Sequence, residues 1–164
     1  KAIRENNKIV LLAGGAFQRI DPKTYEKLLN DNLNKSNYYT NFNFIPMQEE
    51  PYYFSAADMI CLPYLEITQS GVAQIGLMYD LPMIASDIGD MKAVIRPGIN
   101  GELVKPRDID GLANAILKLA NNESLRETYS QGSYILSKTE FSVEVKGHKV
   151  ADSYRNLIRL SKQR

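Results

Sequence analysis

The chain has 164 residues, of which 44% are hydrophobic and 24% are charged, as is typical of one globular domain with its own core. Its formal charge of +1 gives no electrostatic reason to expect nucleic acid as a partner. A single Cys excludes an internal disulfide, and one Cys with one His argues against zinc, so we expect no metal. Neither a membrane-spanning run nor a signal-peptide core is present in the sequence, which predicts a cytoplasmic protein.

Apolar runs alternate with stretches of helical periodicity through the first half of the chain. Residues 9–13 form a continuous apolar run that ends at Gly14-Gly15, which predicts a strand buried on both faces. Further along, the pattern predicts a helix opened by Asp21-Pro22, a strand at 42–45, a short helix at 49–57 and a strand at 58–62. Cys61 falls inside this last run and is predicted to be a small core residue.

The alternation continues to the end of the chain. The predicted elements are a helix at 70–79 with Ser70 as its N-cap, strands at 82–85 and 101–104, a helix at 109–120 capped by Asp108, and helices at 125–136 and 141–158. Strands that alternate with helices at this spacing are typical of a doubly wound parallel sheet. We therefore predict one α/β domain over residues 1–164.

Ligands of open α/β sheets bind at the carboxyl ends of the strands, which here selects the loops 14–19, 63–71 and 86–91. The middle loop leads directly into a helix, whose N-terminus attracts phosphate. Thr68, Gln69 and Ser70 can add side-chain donors, and Gly71 lets a phosphate approach the backbone. Glu66 could accept hydrogen bonds from ribose hydroxyls. The alternative is that Ser70-Gly71 is only a helix cap.

Two other features keep more than one interpretation. Gly14-Gly15 lacks the continuation of a dinucleotide-binding fingerprint, so it indicates either a tight turn or close approach to a ligand. The last helix carries basic residues on one side and apolar residues on the other, and it could contact an anionic membrane or another domain. An ordinary surface helix is the alternative, and His148 is predicted to be a solvated residue on it.

A series of motifs carries a family resemblance. The motifs are Thr-Gln-Ser-Gly-Val at 68–72, Leu-Pro-Met-Ile-Ala-Ser-Asp at 81–87, Gly89, Gly98 and Asn-Gly-Glu-Leu-Val at 100–104. Together they resemble the nucleotide-sugar-binding half of a GT-B glycosyltransferase, and they are most similar to the group 1 retaining enzymes. The resemblance implies a Rossmann-like sheet that forms one half of a GT-B fold. It also implies an acceptor-binding N-terminal domain, and one strand and helix before this chain, none of which the sequence contains.

The resemblance also implies roles for particular residues. A UDP- or GDP-sugar would place its diphosphate on the segment from Thr68 through Gln69, Ser70 and Gly71 to Val72, bordered by Gly14 and Gly15. Its base and ribose would lie near Ile45, Pro46, Glu66 and Gln74. Reaction with retention would proceed on one face of the sugar with help from the leaving phosphate, so no nucleophilic carboxylate is expected. Such a domain should be inactive alone, and its cytoplasmic location could be the inner face of a membrane.

Several positions depart from the family pattern. Ile75 stands where the second glutamate of the family signature falls, with Gln74 beside it, and Glu66 is one residue away from the first. Ala93 replaces the glutamate of the later glycine motif that begins at Gly89. These losses leave a second hypothesis, in which the chain is a degenerate GT-B half that scaffolds a partner without transferring sugar.

Overall fold

The fold is built on short parallel strands. The computed structural model describes residues 1–16 and 21–161. Within these residues, two sheets form, one with strand order β1-β2 and one with order β3-β4-β5. Both sheets are parallel throughout, as predicted. The strands are β1 Leu11–Gly14, β2 Tyr38–Asn41, β3 Ile60–Leu62, β4 Met83–Ser86 and β5 Gly101–Val104.

Helices connect successive strands and complete the chain. A 3₁₀ turn at Lys35–Asn37 precedes β2. The helices are α1 Ala2–Glu5, α2 Pro22–Asn32, α3 Glu50–Ser55, α4 Gly71–Met78, α5 Met91–Val94, α6 Ile109–Ala120, α7 Glu123–Thr139 and α8 Val143–Ser161. Among the helices of the described residues, none is long and apolar enough to span a bilayer.

The core lies on both faces of the larger sheet, because every residue of β4 is buried. Met83 and Ala85 pack on one face with Ala73 and Leu77 of α4. Ile84, which points the other way, packs with α6 residues such as Leu119. Each face therefore has its own helix layer, which is the arrangement of a doubly wound fold.

Among the described residues, the edges of β1 and β3 that face away from β2 and β4 pair with no strand. Helix contacts nevertheless hold the two sheets side by side. On the α6 face, Lys1 bonds to Asp110 at 2.6 Å, and α1 packs against α6. On the α4 face, the ring of Phe54 stacks on that of Tyr79 with centroids 5.2 Å apart. The backbone groups along these two edges therefore have no strand partner among the described residues.

Three local predictions were wrong. The run at 9–13 is not buried on both faces, because Val10 is 50% exposed and Leu12 is 40% exposed at the uncovered side of β1. The second strand is Tyr38–Asn41 rather than 42–45, since the Asn41 side chain accepts from the Asn43 N–H and turns the chain there. Cys61 is exposed rather than in the core, whereas its neighbour Leu62 on the same strand is buried.

The predicted helix starts at Asp21, Ser70 and Asp108 are confirmed. Each of these side chains accepts a hydrogen bond from an N–H in the first turn of its helix: from Lys23 at 3.1 Å, from Ala73 at 3.2 Å and from Gly111 at 2.8 Å. Such caps end the preceding loop at a defined residue, so they also fix where the loops at the carboxyl edge of the sheet stop.

Candidate functional site

The loop between β3 and α4 is held at the carboxyl edge of the sheet by its last residue. Ser70 is 6% exposed, and its hydroxyl oxygen caps α4. The hydroxyl of Tyr64 lies 3.4 Å from the same oxygen. Both contacts fix the end of the loop, so the predicted cap is present, and Ser70 keeps one hydroxyl proton that it can share with Tyr64 or a ligand.

Backbone donors line the start of α4. Within residues 1–16 and 21–161, the amide N–H groups of residues 68–72 donate to no protein acceptor. Thr68, Gln69, Gly71 and Val72 are exposed, and a Cβ on Gly71 would meet nothing within 4 Å. A helix N-terminus with accessible N–H groups carries about half a positive charge and binds anions. The segment therefore can take a phosphate or diphosphate through its backbone.

The turn between β4 and α5 lies against this loop. The Asp90 N–H donates to the Thr68 carbonyl oxygen at 3.0 Å, and the Gln69 side chain reaches Asp90 Oδ2 at 3.4 Å. Lys92, exposed on α5, pairs with Asp87 of the turn at 3.1 Å. Two of the three loops selected from the sequence are thus in contact. Sequence reasoning missed this contact, although Gly89 was already singled out as part of a motif.

The two glycines at the end of β1 have different local roles. A Cβ on Gly14 would lie 2.5 Å from Ile45 Cδ1 and 3.0 Å from Tyr53. The absence of a side chain at Gly14 therefore lets the side chains of Ile45 and Tyr53 pack against β1. Gly15 has a φ of 127°, and its N–H donates to the Asn41 carbonyl at 2.9 Å. This backbone conformation favours glycine, and close approach of a ligand to Gly15 stays a prediction. Residues 17–20, including Arg19 at the end of the predicted loop, lie outside the described residues.

The predicted base and ribose residues lie in three parts of the chain: the loop after β2, the loop before α4, and α4 itself. Ile45 packs at Gly14, and the carbonyl of Pro46 accepts from the Glu49 N–H at 2.9 Å. Glu66 is exposed on the loop before α4. Gln74, one turn inside α4, accepts a hydrogen bond from Lys146 of α8 at 2.9 Å. The structure thus places Gln74 against the last helix.

The exposed apolar side chains next to Ile45 were missed by sequence reasoning. Phe44 is 78% exposed and Met47 is 77% exposed. Their signal in the sequence is an apolar run that the structure does not use as a strand. These two apolar side chains are exposed on either side of Ile45 and Pro46 in the sequence.

The chemistry of the site rests on hydrogen-bond donors. Cys61 lies on β3, and although the residue is exposed, burial of its thiol raises the pKa to about 11. A raised pKa lowers the thiolate fraction at neutral pH. In the part of the chain that the structure describes, no three His, Cys, Asp or Glu side chains are grouped to hold a metal ion. The expectation that no metal takes part stays a prediction.

Comparison with known proteins decides the family. A family model of the group 1 glycosyl transferases matches residues 1–122, which include β1 to β5, the loop before α4 and the turn at Gly89. The chain belongs to the group 1 glycosyl transferases. A curated relative, the phosphatidyl-myo-inositol mannosyltransferase of Mycobacterium leprae (strain TN), is 32% identical over 90 residues. That match covers 54% of this chain and 24% of the relative.

Solved structures agree on the fold of this group 1 glycosyl transferase chain. Sucrose-phosphate synthase from Thermosynechococcus elongatus matches with a TM-score of 0.77 and 24% identity, over 92% of this chain and 38% of that one. Anabaena HepE, solved in complex with UDP, matches with a TM-score of 0.73 and 14% identity, over 94% of this chain and 52% of that one. The chain therefore has the Rossmann-like fold of a GT-B half, and it spans about a quarter to a half of the length of these proteins.

Proposed function

We propose that this chain is the donor-binding domain of a retaining glycosyltransferase that moves a sugar from a nucleoside-diphosphate sugar to an acceptor. The observation that carries the proposal is the run of amide N–H groups at residues 68–72 that donate to no acceptor among the described residues, in a chain of the group 1 family. A diphosphate is the anionic part of such a donor, and an N-terminal helix turn suits it. UDP is the favoured nucleotide over GDP, because a structural neighbour was solved with UDP.

The proposed chemistry needs stabilisation of a leaving group. The bond between the sugar C1 and the diphosphate oxygen breaks, and its electron pair stays on that oxygen. The acceptor oxygen bonds to C1 on the same face, and its proton passes to the leaving phosphate. Amide donors fixed by α4 and by the Ser70 cap would stabilise the charge that develops on the phosphate. No carboxylate nucleophile is part of this scheme.

The proposed domain is half of a cleft. We infer that the open edges of β1 and β3 receive a strand that precedes Lys1 in the longer protein, and that a further domain binds the acceptor. With that strand the order becomes 3-2-1-4-5-6, the arrangement of dinucleotide-binding sheets. Because positioning of two substrates supplies much of the rate, the chain alone should transfer little sugar.

A scaffold without transfer is the second candidate. Ile75, half-buried on α4, and Ala93, exposed on α5, occupy positions where the family signature has acidic residues. Transfer of sugar by the longer protein would eliminate this candidate. Binding of UDP without any transfer by the longer protein would favour it.

The last helix supports a proposed contact with an anionic membrane. No residue of α8 is buried, and Val150, Tyr154 and Leu157 are 55%, 65% and 63% exposed on one face. At about 100° per residue, Arg155 and Arg159 fall on the opposite side of the helix. We expect co-sedimentation with vesicles that contain phosphatidylglycerol and none with phosphatidylcholine vesicles. Leu157→Glu should abolish co-sedimentation, and equal retention of the variant would contradict the contact.

The experiment that tests the proposed function is calorimetric titration with UDP, GDP and ADP. Gly71→Ala adds a methyl group beside the amide donors, where the protein leaves open space. We expect Gly71→Ala to keep the phosphate away from the backbone and so to remove one hydrogen bond to it. That loss corresponds to about a tenfold or greater weakening of UDP binding. The matched control is Gly147→Ala on α8, where the added Cβ also meets nothing. Absence of heat with all three nucleotides at millimolar concentration would overturn the proposal.

A further inference from the structure

The turn between β4 and α5 contains a glycine that no other residue could replace without moving the neighbouring loop. Gly89 has a φ of 52°. A Cβ built there would lie 2.4 Å from the carbonyl oxygen of Ile67 and 2.8 Å from that of Thr68. Both are backbone atoms of the loop before α4, so a side chain at position 89 would push that loop away.

This contact orients the loop as well as limiting its distance. The carbonyl oxygens of Ile67 and Thr68 both face the turn, and the second accepts the Asp90 N–H at 3.0 Å. In a trans peptide the N–H points opposite to the carbonyl. The N–H groups of Thr68 and Gln69 therefore point away from the turn, and neither donates to an acceptor among the described residues.

The turn itself is anchored to the sheet. The Asp87 N–H donates to the Val104 carbonyl of β5 at 2.7 Å. Met91, at the start of α5, is 1% exposed in the same core cluster against which Ile67 packs. The turn is thus a rigid support on one side of the loop, and the exposed side is left to solvent.

We propose that Gly89 is a positioning residue for phosphate. Because position 89 has no side chain, the β4–α5 turn can hold the carbonyls of Ile67 and Thr68, and this directs the N–H groups of Thr68 and Gln69 towards the phosphate. The proposal rests on the proposed function, because it assigns a role within the same diphosphate site. It gives the glycine motif a physical task that does not need the glutamate replaced by Ala93.

The test compares two glycines that share a left-handed backbone. Gly89→Ala introduces the clash, and Gly98→Ala, with a φ of 78° and nothing within 4 Å of its added Cβ, is the matched control. Each variant and the unmodified chain are titrated with UDP by calorimetry and with uridine by NMR. We expect Gly89→Ala to bind UDP at least tenfold more weakly than Gly98→Ala and to bind uridine within twofold of it.

The outcomes separate the two proposals. If the unmodified chain binds UDP and the two variants bind it equally well, Gly89 has no positioning role. If uridine binding falls as much as UDP binding, the effect is a general loss of structure, and the proposal is overturned. If the unmodified chain binds no nucleotide, the proposed function fails.

A second measurement needs neither ligand nor a stable variant. A through-hydrogen-bond coupling between the Asp90 N–H and the Thr68 carbonyl can be measured in the unmodified chain. It reports directly the hydrogen bond by which the turn holds the loop. Its presence together with slow exchange of the Asp90 amide supports the proposal. Its absence, with Asp90 exchanging as fast as an exposed loop amide, overturns it.

Discussion

Ser70 shows how one side chain serves both the fold and the site. Its hydroxyl caps α4 at 3.2 Å from the Ala73 nitrogen, at the end of the loop that carries the amide donors. We expect Ser70→Ala to lower the free energy of unfolding by about 1 kcal/mol, the usual cost of a lost cap. Ser70→Asp should keep the cap and still weaken UDP binding, because its charge repels phosphate. Urea unfolding and calorimetry measure the two effects, and tighter UDP binding by the Asp variant would contradict this account.

Glu102 makes the stability of the larger sheet depend on pH. Desolvation raises the pKa of this carboxyl, whereas hydrogen bonds from Lys118 and Tyr129 lower it. The hydrogen bonds have the larger combined effect, so the pKa is below its ordinary value of 4.5. A group with a lowered pKa in the folded state stabilises above its unfolded pKa, and that stability is lost as the pH falls through the folded value. Glu102→Gln should therefore show a smaller loss of stability than the unmodified chain on acidification from pH 6 to pH 3. The free energy of unfolding is measured with urea at each pH. An equal decrease in the variant and the unmodified chain would contradict the expectation.

Tyr129, the hydrogen-bond partner of Glu102, should act at the alkaline end. Desolvation and the bond to Glu102 raise the pKa of its hydroxyl from 10.0 to about 12. Since a raised pKa gives stability that is full below the unfolded value, stability should fall as the pH rises from 10 towards 12. Tyr129→Phe removes the titrating group and should flatten this alkaline decline. A decline of equal size in the variant would show that other groups cause it.

Helix packing decides the sign of the same substitution at two glycines. A Cβ on Gly132 of α7 would lie 2.0 Å from the carbonyl oxygen of Ile99, whereas one on Gly147 of α8 meets nothing. We expect Gly132→Ala to destabilise the chain by about 1–3 kcal/mol through overpacking. Gly147→Ala should stabilise it by about 0.5–1 kcal/mol through helix propensity. Urea unfolding of both variants checks the pair, and a gain at Gly132 would contradict the packing.

At the scale of elements, local chemistry predicts where helices begin better than it predicts where strands lie and which of their residues are buried. The caps at Ser70 and Asp108 could be found from the sequence, because a cap acts over three residues. The strand Tyr38–Asn41 could not, since the apolar residues that suggest a strand come after it. Its position is set by pairing with β1 and by the turn at Asn41, which are contacts beyond a local pattern.

At the scale of the whole molecule, β1 and β3 each have one edge without a strand partner among the described residues, and the strand proposed above to belong to a longer protein would pair there. The amides on these edges should exchange hydrogen at least tenfold more slowly in the longer protein, because a parallel strand would bond to them. The outer edge of β5 serves as the internal control and should not change. Hydrogen exchange followed by mass spectrometry measures all three strands. Protection at β5 and none at β1 and β3 would contradict the inferred strand order.

The sequence by itself determined the α/β class, the parallel order of elements, the family resemblance and the helix that begins after Ser70. These follow from periodicity, caps and motifs, which are read along the chain. Only the tertiary structure decided that the turn at Gly89 supports the loop before α4, that Gln74 faces α8 and that β1 is half exposed. Such contacts join residues distant in the sequence, and their geometry depends on how the layers pack rather than on any local preference.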